Sequence, residues 1–278
     1  MGTVGDLGER MTAFYENISK TKLMRRTPVI IRLDGRAFHT LLKKFKKPFD
    51  DIFIETMQET TRYLCENIQG CVFGYCFSDE ISLLFIDYKK LESAAWFDYQ
   101  VQKMCSVSAS MATLAYNKVF SNLTHSYYAD CCYAPDEGNY WDEIATGKEA
   151  DAEFCENVYF KALSRATFDA RVFNIPKEEI VNYFYWRQSS CIRNSIQMTG
   201  RAYFKHKELQ KKKCNDIKEM LLKKGIDWNS LPTHEKLGSC IIKMTVDENI
   251  KDRGEWIIDK EIPIFKNEGR EYINSLLN

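Results

Sequence analysis

The sequence VIIRLDG, residues 29–35, is the stretch from which the fold can be read. It follows Pro28 and is a run of apolar, mostly β-branched residues of strand length that ends in an Asp-Gly pair. Such a run, closed by a turn dipeptide, is typical of a buried strand. The stretch therefore predicts a first strand with a carboxylate, Asp34, at its carboxyl end.

Downstream of this strand, the apolar spacing alternates between the helical and the strand period. Apolar residues recur at helical spacing from Asp50 to a stop at Gly70, and an acidic start with a glycine stop is typical of a helix. The polar stretch Ser78-Asp79-Glu80 separates two apolar runs, as in a hairpin. The predicted elements are, in order, a strand at 29–33, a helix at 50–69, strands at 71–77 and 81–86, a helix at 96–119 and a strand at 168–175.

The order β-α-β-β-α-β is that of the ferredoxin-like unit, an antiparallel sheet covered on one face by two helices, which polymerase palms share. We therefore expect an α+β, polymerase palm-type fold with a C-terminal, mainly helical subdomain. The predicted division has a palm-like catalytic domain at 1–133 and an acidic surface insertion at 134–157. The last palm strand and a helical, fingers-like region follow at 158–278.

The composition argues against a disordered chain and gives no overall attraction to nucleic acid. Hydrophobic residues make up 45% of the 278 residues, enough for a full core, and 39 basic residues are balanced by 39 acidic ones. Any contact with RNA must then use local basic patches. The lysine-rich run at 205–213 is one candidate, although such a run is usually a solvated helix face.

The N-terminal segment lacks the apolar core of a signal peptide, and no later stretch has the uninterrupted apolar length of a membrane span. We therefore expect a cytoplasmic protein that has no membrane partner. The ten cysteines are scattered through hydrophobic segments and form no CxxC pair. This distribution predicts reduced core thiols rather than disulfides or a zinc site.

Two acidic turns predict a metal site. In a ferredoxin-like sheet the first strand lies antiparallel beside the third, so Asp34 at the end of one comes next to Asp79 at the start of the other. Neighbouring carboxylates repel each other unless a cation lies between them, and hard oxygen ligands suit Mg²⁺. Such a pair is what two-metal phosphoryl transfer needs. Taken singly, each motif would be a solvated turn; their predicted meeting favours the metal site. Glu80 alternates away from Asp79, so we expect only a supporting catalytic role for it.

The residues that follow Asp34 suit close contact with a ligand. Gly35 has no Cβ, so its backbone can approach a metal or a phosphate, and its carbonyl is a candidate metal ligand. The amides of Arg36, Ala37 and Phe38 are candidates for an anion-binding nest.

Four motifs in order resemble the signature segments of the tRNA-His guanylyltransferase family. They read RLDGRAFH at 32–39, SDE at 78–80, FDARV at 168–172 and WRQ at 186–188, and the resemblance extends to KLGS at 236–239. It implies a palm-like enzyme that elongates tRNA in the 3′-to-5′ direction. ATP first activates a 5′-monophosphorylated end, and the 3′-hydroxyl of GTP or another NTP then displaces AMP. By this resemblance, Asp34, the Gly35 carbonyl and Asp79 hold two Mg²⁺ ions.

The same resemblance implies a nucleotide-binding loop that holds the triphosphate. The residues expected to bind the nucleotide are Asp34, Gly35, Arg36, Ala37, Phe38, His39, Lys47, Ser78, Asp79 and Lys103. For Lys47 and Lys103, a solvated surface position is an equal alternative to phosphate contact. For His39 we favour packing or a backbone contact. For Arg187 we favour a structural ion pair with a carboxylate such as Asp169 over a phosphate contact.

The sequence departs from the family after WRQ. Members that add the extra guanosine to tRNA-His have a HINNLYN stretch there, whereas 192–198 read IRNSIQM and only Asn194 matches. The chain is in this respect similar to the divergent guanylyltransferase-like branch, which repairs 5′-truncated tRNA by copying the opposite strand. Template-dependent 5′ repair is therefore the leading hypothesis, and addition of a single 5′ guanosine is the alternative.

Two further classes of function are weaker hypotheses. A non-catalytic RNA-binding module is disfavoured because strand one has no aromatics to stack bases and two apposed carboxylates repel phosphate. A nucleotide cyclase shares the palm and the two-metal chemistry, but its signature loops are absent while the WRQ segment is present. The family resemblance also implies a homotetramer, a dimer of dimers, with tRNA and nucleoside triphosphates as partners.

Overall fold

The computed structural model describes residues 6–132, 149–244 and 254–277. The strands are β1 Val29–Gly35, β2 Cys71–Phe77, β3 Glu80–Phe85, β4 Phe168–Asn174, β5 Ser239–Met244 and β6 Glu255–Asp259. The helices named below are α1 Leu7–Met11, α2 Phe38–Leu41, α3 Asp51–Asn67, α4 Val101–Cys132, α5 Ile180–Tyr203, α6 His206–Leu209, α7 Cys214–Leu222, α8 Thr233–Leu237 and α9 Glu271–Asn274.

The six strands form one sheet with the order β4-β1-β3-β2-β5-β6, and every neighbouring pair is antiparallel. The first four strands are ordered as in a ferredoxin-like unit, and α3 and α4 cover one face of the sheet. The predicted α+β, palm-type fold is therefore confirmed.

The apolar run of β1 is buried on both faces of the sheet. Its odd-numbered residues join the core under α3 and α4, and Ile30 joins a second core under α5. In that second core Phe184 of α5 packs edge-on against Phe73 of β2, with ring centroids 4.8 Å apart. A strand covered on both sides needs continuous apolar residues rather than alternating ones. This requirement explains the VII run.

The C-terminal region contributes two strands as well as helices. β5 pairs with β2, and β6 pairs with β5, so the sheet extends beyond the four strands of the predicted palm. From the sequence we predict a mainly helical region here, and this prediction misses both strands. β5 reads SCIIKM, and its central apolar run is too short to be separated from a helix by spacing alone. The open edge of β2 selects the strand conformation.

The long helix α4 has different ends from those predicted. Residues 96–99 form a separate 3₁₀ turn in which Phe97 and Asp98 have positive φ, so α4 begins only at Val101. It then continues to Cys132, well past the predicted end. In this extension Phe120 stacks on Phe45, with ring centroids 5.8 Å apart. This long-range contact stabilises the last part of α4, where the apolar spacing of the sequence does not indicate a helix.

The domain division at 133 and 157 stays a prediction. Of the expected acidic insertion, 134–148 lie outside the described residues. Its last part is helical, and the buried Cys155 donates its thiol to the Thr124 carbonyl of α4 at 3.6 Å. All ten cysteines have free thiols. Within the described ranges, the helices are all too short or too polar to cross a membrane.

Candidate active site

The carboxyl end of β1 meets the amino end of β3. Asp34 is in register with Glu80, and the Gly35 amide donates a hydrogen bond of 2.9 Å to the Asp79 carbonyl. Asp34 and Asp79 therefore lie at the same end of two neighbouring strands. The meeting of the two acidic turns that we predict from topology is present in the structure.

The Asp79 carboxylate is half-buried and close to a charge of the same sign. Burial raises the pKa of Asp79, and the negative charge of Asp34 raises it further, whereas His39 acts in the opposite direction. Ser78, with a φ of 48°, donates from Oγ to Asp79 Oδ1 at 3.1 Å and so orients that carboxylate. The fold thus holds together two groups whose charges repel, a condition that a divalent cation relieves.

The donor set at this point suits a metal that is shared with a ligand. In the part of the chain that the structure describes, no group of three or more His, Cys, Asp or Glu side chains is placed to hold a metal ion. Asp34 and Asp79 supply two carboxylates, and the Gly35 carbonyl is a neutral oxygen at the same strand end. Mg²⁺ prefers hard oxygen donors of this kind and completes its shell with water and substrate phosphates. The residues therefore fit Mg²⁺ bound together with a nucleotide.

Gly35 is required by the close approach of Phe38. A Cβ on Gly35 would lie 2.4 Å from Phe38 Cδ2. The Phe38 ring is buried against Tyr116 and Phe168, with ring centroids 5.3 and 5.2 Å away. The missing side chain thus lets the loop fold onto an aromatic core. This packing is a different reason for glycine from the close metal or phosphate approach predicted from the sequence.

The backbone after Gly35 offers a smaller anion nest than predicted. The Arg36 amide donates to the Thr167 carbonyl at 2.8 Å, so it is not available to a phosphate. Ala37 is in the left-handed conformation, with a φ of 57°, and turns the chain into α2. Among the described residues, no backbone acceptor is bound by the amides of Ala37, Phe38 and His39. These three amides are the ones left for an anion.

A cleft of about 860 Å³ lies beside the acidic pair. Its two walls come from the palm turns and from the C-terminal half of α5. The palm side comprises Phe38, His39, Leu42, Lys47, Ser78 and Asp79, and the α5 side comprises Asn194, Gln197, Met198 and Arg201. Five of the predicted nucleotide-binding residues therefore line one cleft. His39 is exposed there, so the packing that we expected as one alternative is wrong, and the other, a backbone contact, stays a prediction.

The α5 wall contains functional candidates that the sequence reading misses, apart from Asn194. Its four cleft residues recur at spacings of three and four along the helix and so share one face. The other side of the helix faces a small core, where Trp228 Nε1 donates to Ser195 Oγ at 2.9 Å. The helical spacing is a usable signal for the shared face, but only packing shows which way that face points.

A second pocket of about 440 Å³ adjoins the cleft. Ser78, Asn194 and Met198 line both. The remaining lining is Phe49, Asp50, Phe53, Ile54, Phe77, Cys191, Ser195, His234 and Glu235. Burial lowers the pKa of His234 and raises the pKa of Glu235, so it shifts the titration of each group toward the uncharged form. A polar cleft joined to a largely apolar pocket fits a ligand with a charged part and a flat apolar part.

The two lysines expected to contact phosphate lie in different places. Lys47 lines the cleft, its Nζ donates to the Leu42 carbonyl at 2.9 Å, and burial lowers its pKa. Lys103 lies near the amino end of α4, and its Nζ is 5.8 Å from the centroid of the Phe97 ring. The structure brings Lys47, but not Lys103, into the cleft. The phosphate contact of Lys103 stays a prediction.

Glu80 forms an ion pair on the side of the sheet that faces α5. Arg187 Nε and Nη2 donate to the two carboxylate oxygens of Glu80, each at 2.6 Å. The structural ion pair favoured for Arg187 is therefore present, but with Glu80 in place of Asp169, which pairs with Arg171 at 3.3 Å. The Glu80 carboxylate is engaged, and its supporting role in catalysis stays a prediction.

Comparison with known proteins shows which family this chain resembles. The model of a family described as Thg1, tRNAHis guanylyltransferase, matches residues 8–176. An uncharacterized protein of Acanthamoeba polyphaga mimivirus is 27% identical over 267 residues, which cover 90% of this chain and 80% of the viral protein.

Solved structures agree over nearly the whole chain. A bacterial tRNA(His) guanylyltransferase (Thg1)-like protein in complex with ATP has a TM-score of 0.76 and 37% identity, covering 98% of this chain and 99% of its own. A complex of such a bacterial protein with GTP has a TM-score of 0.73 and 35% identity, covering 98% of each chain. The chain therefore belongs to the tRNA(His) guanylyltransferase (Thg1) family and is a nucleotidyltransferase.

Proposed function

We propose that this protein is a Mg²⁺-dependent 3′-5′ nucleotidyltransferase that repairs 5′-truncated tRNA by template-dependent addition. The observation that carries the proposal is the pair Asp34 and Asp79 at the same end of two neighbouring strands, with Asp79 in the lining of a cleft that also contains Lys47 and Arg201. Solved structures of similar bacterial proteins in complex with ATP and GTP support a nucleotide in that cleft.

The nucleotide is held in two parts. The triphosphate lies along the turn into α2, where the Ala37, Phe38 and His39 amides are available and Lys47 adds a positive charge. Arg201 approaches the same cleft from α5. The base enters the adjoining apolar pocket. The path thus offers donors to the phosphates at one end and apolar side chains such as Phe49 and Phe53 to the base at the other.

Arg32 is a further candidate for phosphate contact. Strand alternation puts its side chain on the same face of β1 as Asp34. Its Nε is buried and has no hydrogen-bond partner among the described residues. A buried donor without an acceptor costs free energy, and a phosphate placed at Asp34 would supply that acceptor.

Asp34, the Gly35 carbonyl and Asp79 would hold Mg²⁺, which when bound would acidify the attacking 3′-hydroxyl and offset the charge that develops on the leaving group. The protein contributes position: Ser78 orients the Asp79 carboxylate, and the Gly35 amide ties β1 to the hairpin. In the first transfer a 5′-phosphate oxygen attacks the α-phosphate of ATP and pyrophosphate leaves. In the second, the 3′-hydroxyl of an NTP attacks the activated 5′ phosphate and AMP leaves.

The residue at position 192 of α5 favours templated repair over single guanosine addition. Ile192 stands where the guanosine-adding members have the histidine of HINNLYN, and it packs against the small core around Ile196 and Trp228. The specificity stretch of the guanosine-adding members is thus altered here. Templated addition tolerates this change, because pairing with the opposite RNA strand selects the nucleotide and needs no dedicated recognition of one anticodon.

The test is extension of a 5′-monophosphorylated tRNA that lacks its first nucleotide, with Mg²⁺, ATP and all four NTPs. Templates with altered opposite bases are compared with each other. Addition that follows the opposite base supports repair, whereas guanosine with every template supports tRNA-His guanylyltransferase activity. An absence of both adenylylation and extension contradicts both. Asp79→Ala should abolish transfer, and Asp130→Ala, an exposed carboxylate of α4, is the matched control.

A cytoplasmic homotetramer, a dimer of dimers, completes the proposal. Association between subunits is supported by the N-terminal segment, where Leu7, Phe14, Tyr15 and Ile18 are each more than half exposed. Such a row of apolar residues is typical of a surface that a second subunit covers. Light scattering at micromolar concentration should give four times the chain mass, and Phe14→Ser with Ile18→Ser should reduce it.

A further inference from the structure

A basic groove lies between the segment that follows β1 and the segment that precedes β4. Lys43 and Lys44, just after α2, form one side, and Lys161 and Arg165, just before β4, form the other. The groove has a volume of about 610 Å³. Among the described residues, its lining contains four cationic side chains and no carboxylate.

The charges of this groove are not neutralised within the described ranges. None of the four cations forms an ion pair there. Lys161 Nζ donates to the neutral Asn157 Oδ1 at 3.0 Å, and Arg165 Nη1 to the Lys161 carbonyl at 3.3 Å. In contrast Lys46, on the same segment, pairs with Asp151 at 3.2 Å. The fold neutralises the neighbouring lysine and leaves the groove positive.

Four like charges around one groove raise the electrostatic energy of the folded chain unless an anion enters. The chain as a whole carries 39 basic and 39 acidic residues, so this concentration is local and does not follow from the composition. The groove is therefore a site of attraction for anions.

The lining also indicates the class of anion. It contains no aromatic ring on which a base could stack, and all four cations are exposed and long. Side chains of this kind contact phosphates without reading sequence. Charges spread over two segments match a series of phosphates better than one compact anion. The chemistry is that of a nucleic-acid backbone.

The groove and the catalytic cleft share a wall. Thr40 and Leu41 line the groove, whereas Phe38, His39 and Leu42 line the cleft. A strand whose 5′ end reaches the acidic pair must leave the cleft, and the outer side of this wall is next to it. We propose that the groove binds backbone phosphates of the RNA whose 5′ end is extended in the cleft, an inference that rests on the proposed function.

The test is a salt series of RNA affinity. The quadruple variant Lys43→Gln, Lys44→Gln, Lys161→Gln, Arg165→Gln is compared with the wild type by fluorescence anisotropy on the truncated, 5′-monophosphorylated tRNA. The slope of log affinity against log salt should become less steep by about 0.7–0.9 for each phosphate that the variant no longer binds, and affinity should fall at least about tenfold. ATP affinity measured without RNA should stay unchanged. Lys90→Gln with Lys266→Gln, two exposed lysines elsewhere, should leave affinity and slope unchanged.

The two pairs, Lys43 with Lys44 and Lys161 with Arg165, are also changed separately, so that a folding defect of the quadruple variant does not remove the test. If the variants bind RNA with the affinity and salt slope of the wild type, the groove does not bind RNA. The proposed nucleotide transfer would not be affected by that result. A loss of ATP affinity together with RNA affinity makes the groove a nucleotide site and overturns the groove assignment as well. A wild type that neither binds nor extends RNA removes the proposed function, and the inference with it.

Discussion

Asp79 and Glu80 are adjacent in sequence, yet only one of their carboxylates is bound by an arginine. Arg187 binds both oxygens of Glu80 at 2.6 Å, whereas Asp79 is bound by the neutral hydroxyl of Ser78. Burial raises the pKa of both carboxyls, and the negative charge of Asp34 raises both further. The difference is therefore the arginine, which acts against this shift at Glu80. A partly buried carboxylate that lacks such a partner is a candidate for binding a ligand cation.

The largest effect should come from Asp79→Asn, which keeps the shape of the side chain but removes the proposed metal ligand. We expect adenylylation and extension to fall at least about 1000-fold, since metal and electrostatic stabilisation contribute several kcal/mol to such reactions. Because the substitution removes repulsion, the melting temperature should not fall appreciably. Single-turnover assays and thermal unfolding check both expectations. Activity within tenfold of wild type would place the metal elsewhere.

Arg187→Met should show the opposite pattern, with its main effect on stability. It leaves Glu80 buried without a cation, and breaking a buried ion pair costs about 3–5 kcal/mol of unfolding free energy. Adding Glu80→Gln should recover more than half of that loss, because the uncompensated charge is gone. Urea unfolding measures all three proteins. A single variant as stable as the wild type would mean that the pair contributes little to folding.

Gly35→Ala separates packing from ligand approach at the carboxyl end of β1. The added Cβ would lie 2.4 Å from the Phe38 ring, and overpacking of this kind costs about 1–3 kcal/mol. Adding Phe38→Leu should restore part of the stability. Activity that recovers alongside it would show that the glycine serves the ring. Stability that recovers without activity would show that the backbone also needs room for the ligand.

The smallest effect should be on the pH dependence of stability without metal. Because the pKa of Asp79 is raised on folding, the folded state binds its proton more tightly than the unfolded state does. The stability of the wild type relative to Asp79→Asn should therefore fall as pH rises from the pKa of the unfolded state, about 4, through the raised pKa of the folded state. Unfolding free energies of both proteins between those limits measure this difference. A difference that grows in favour of the wild type would contradict a raised pKa of Asp79.

Mg²⁺ provides a complementary comparison at neutral pH. A cation that binds only the folded wild type stabilises it by mass action, so added Mg²⁺ should raise its melting temperature and leave Asp79→Asn unchanged. Equal stabilisation of both proteins would show that the ion binds outside the acidic pair.

Much of the palm could be predicted from the chain alone. The apolar run of β1, the hairpin at Ser78 and the helical spacing after Asp50 are local patterns, and a topological rule then brings Asp34 to Asp79. The strands β5 and β6 could not be predicted in this way, because their short apolar runs become strands only at the edge of β2. The structure shows the Phe38 ring close to Gly35, a contact that the sequence does not indicate, and the approach of Gly35 to a metal or a phosphate stays a prediction.

The sequence by itself determined the order of the palm elements and the position of two carboxylates. The apolar spacing of each strand and helix is a local pattern, and in this sheet topology the carboxyl end of the first strand must lie beside the amino end of the third. Only the tertiary structure decided which of the neighbouring carboxylates forms an ion pair with an arginine. Arg187 reaches Glu80 across 107 positions of the chain, and the cleft face of α5 is set by packing on its opposite side. Electrostatic pairing depends on distances in space, and no local pattern contains them.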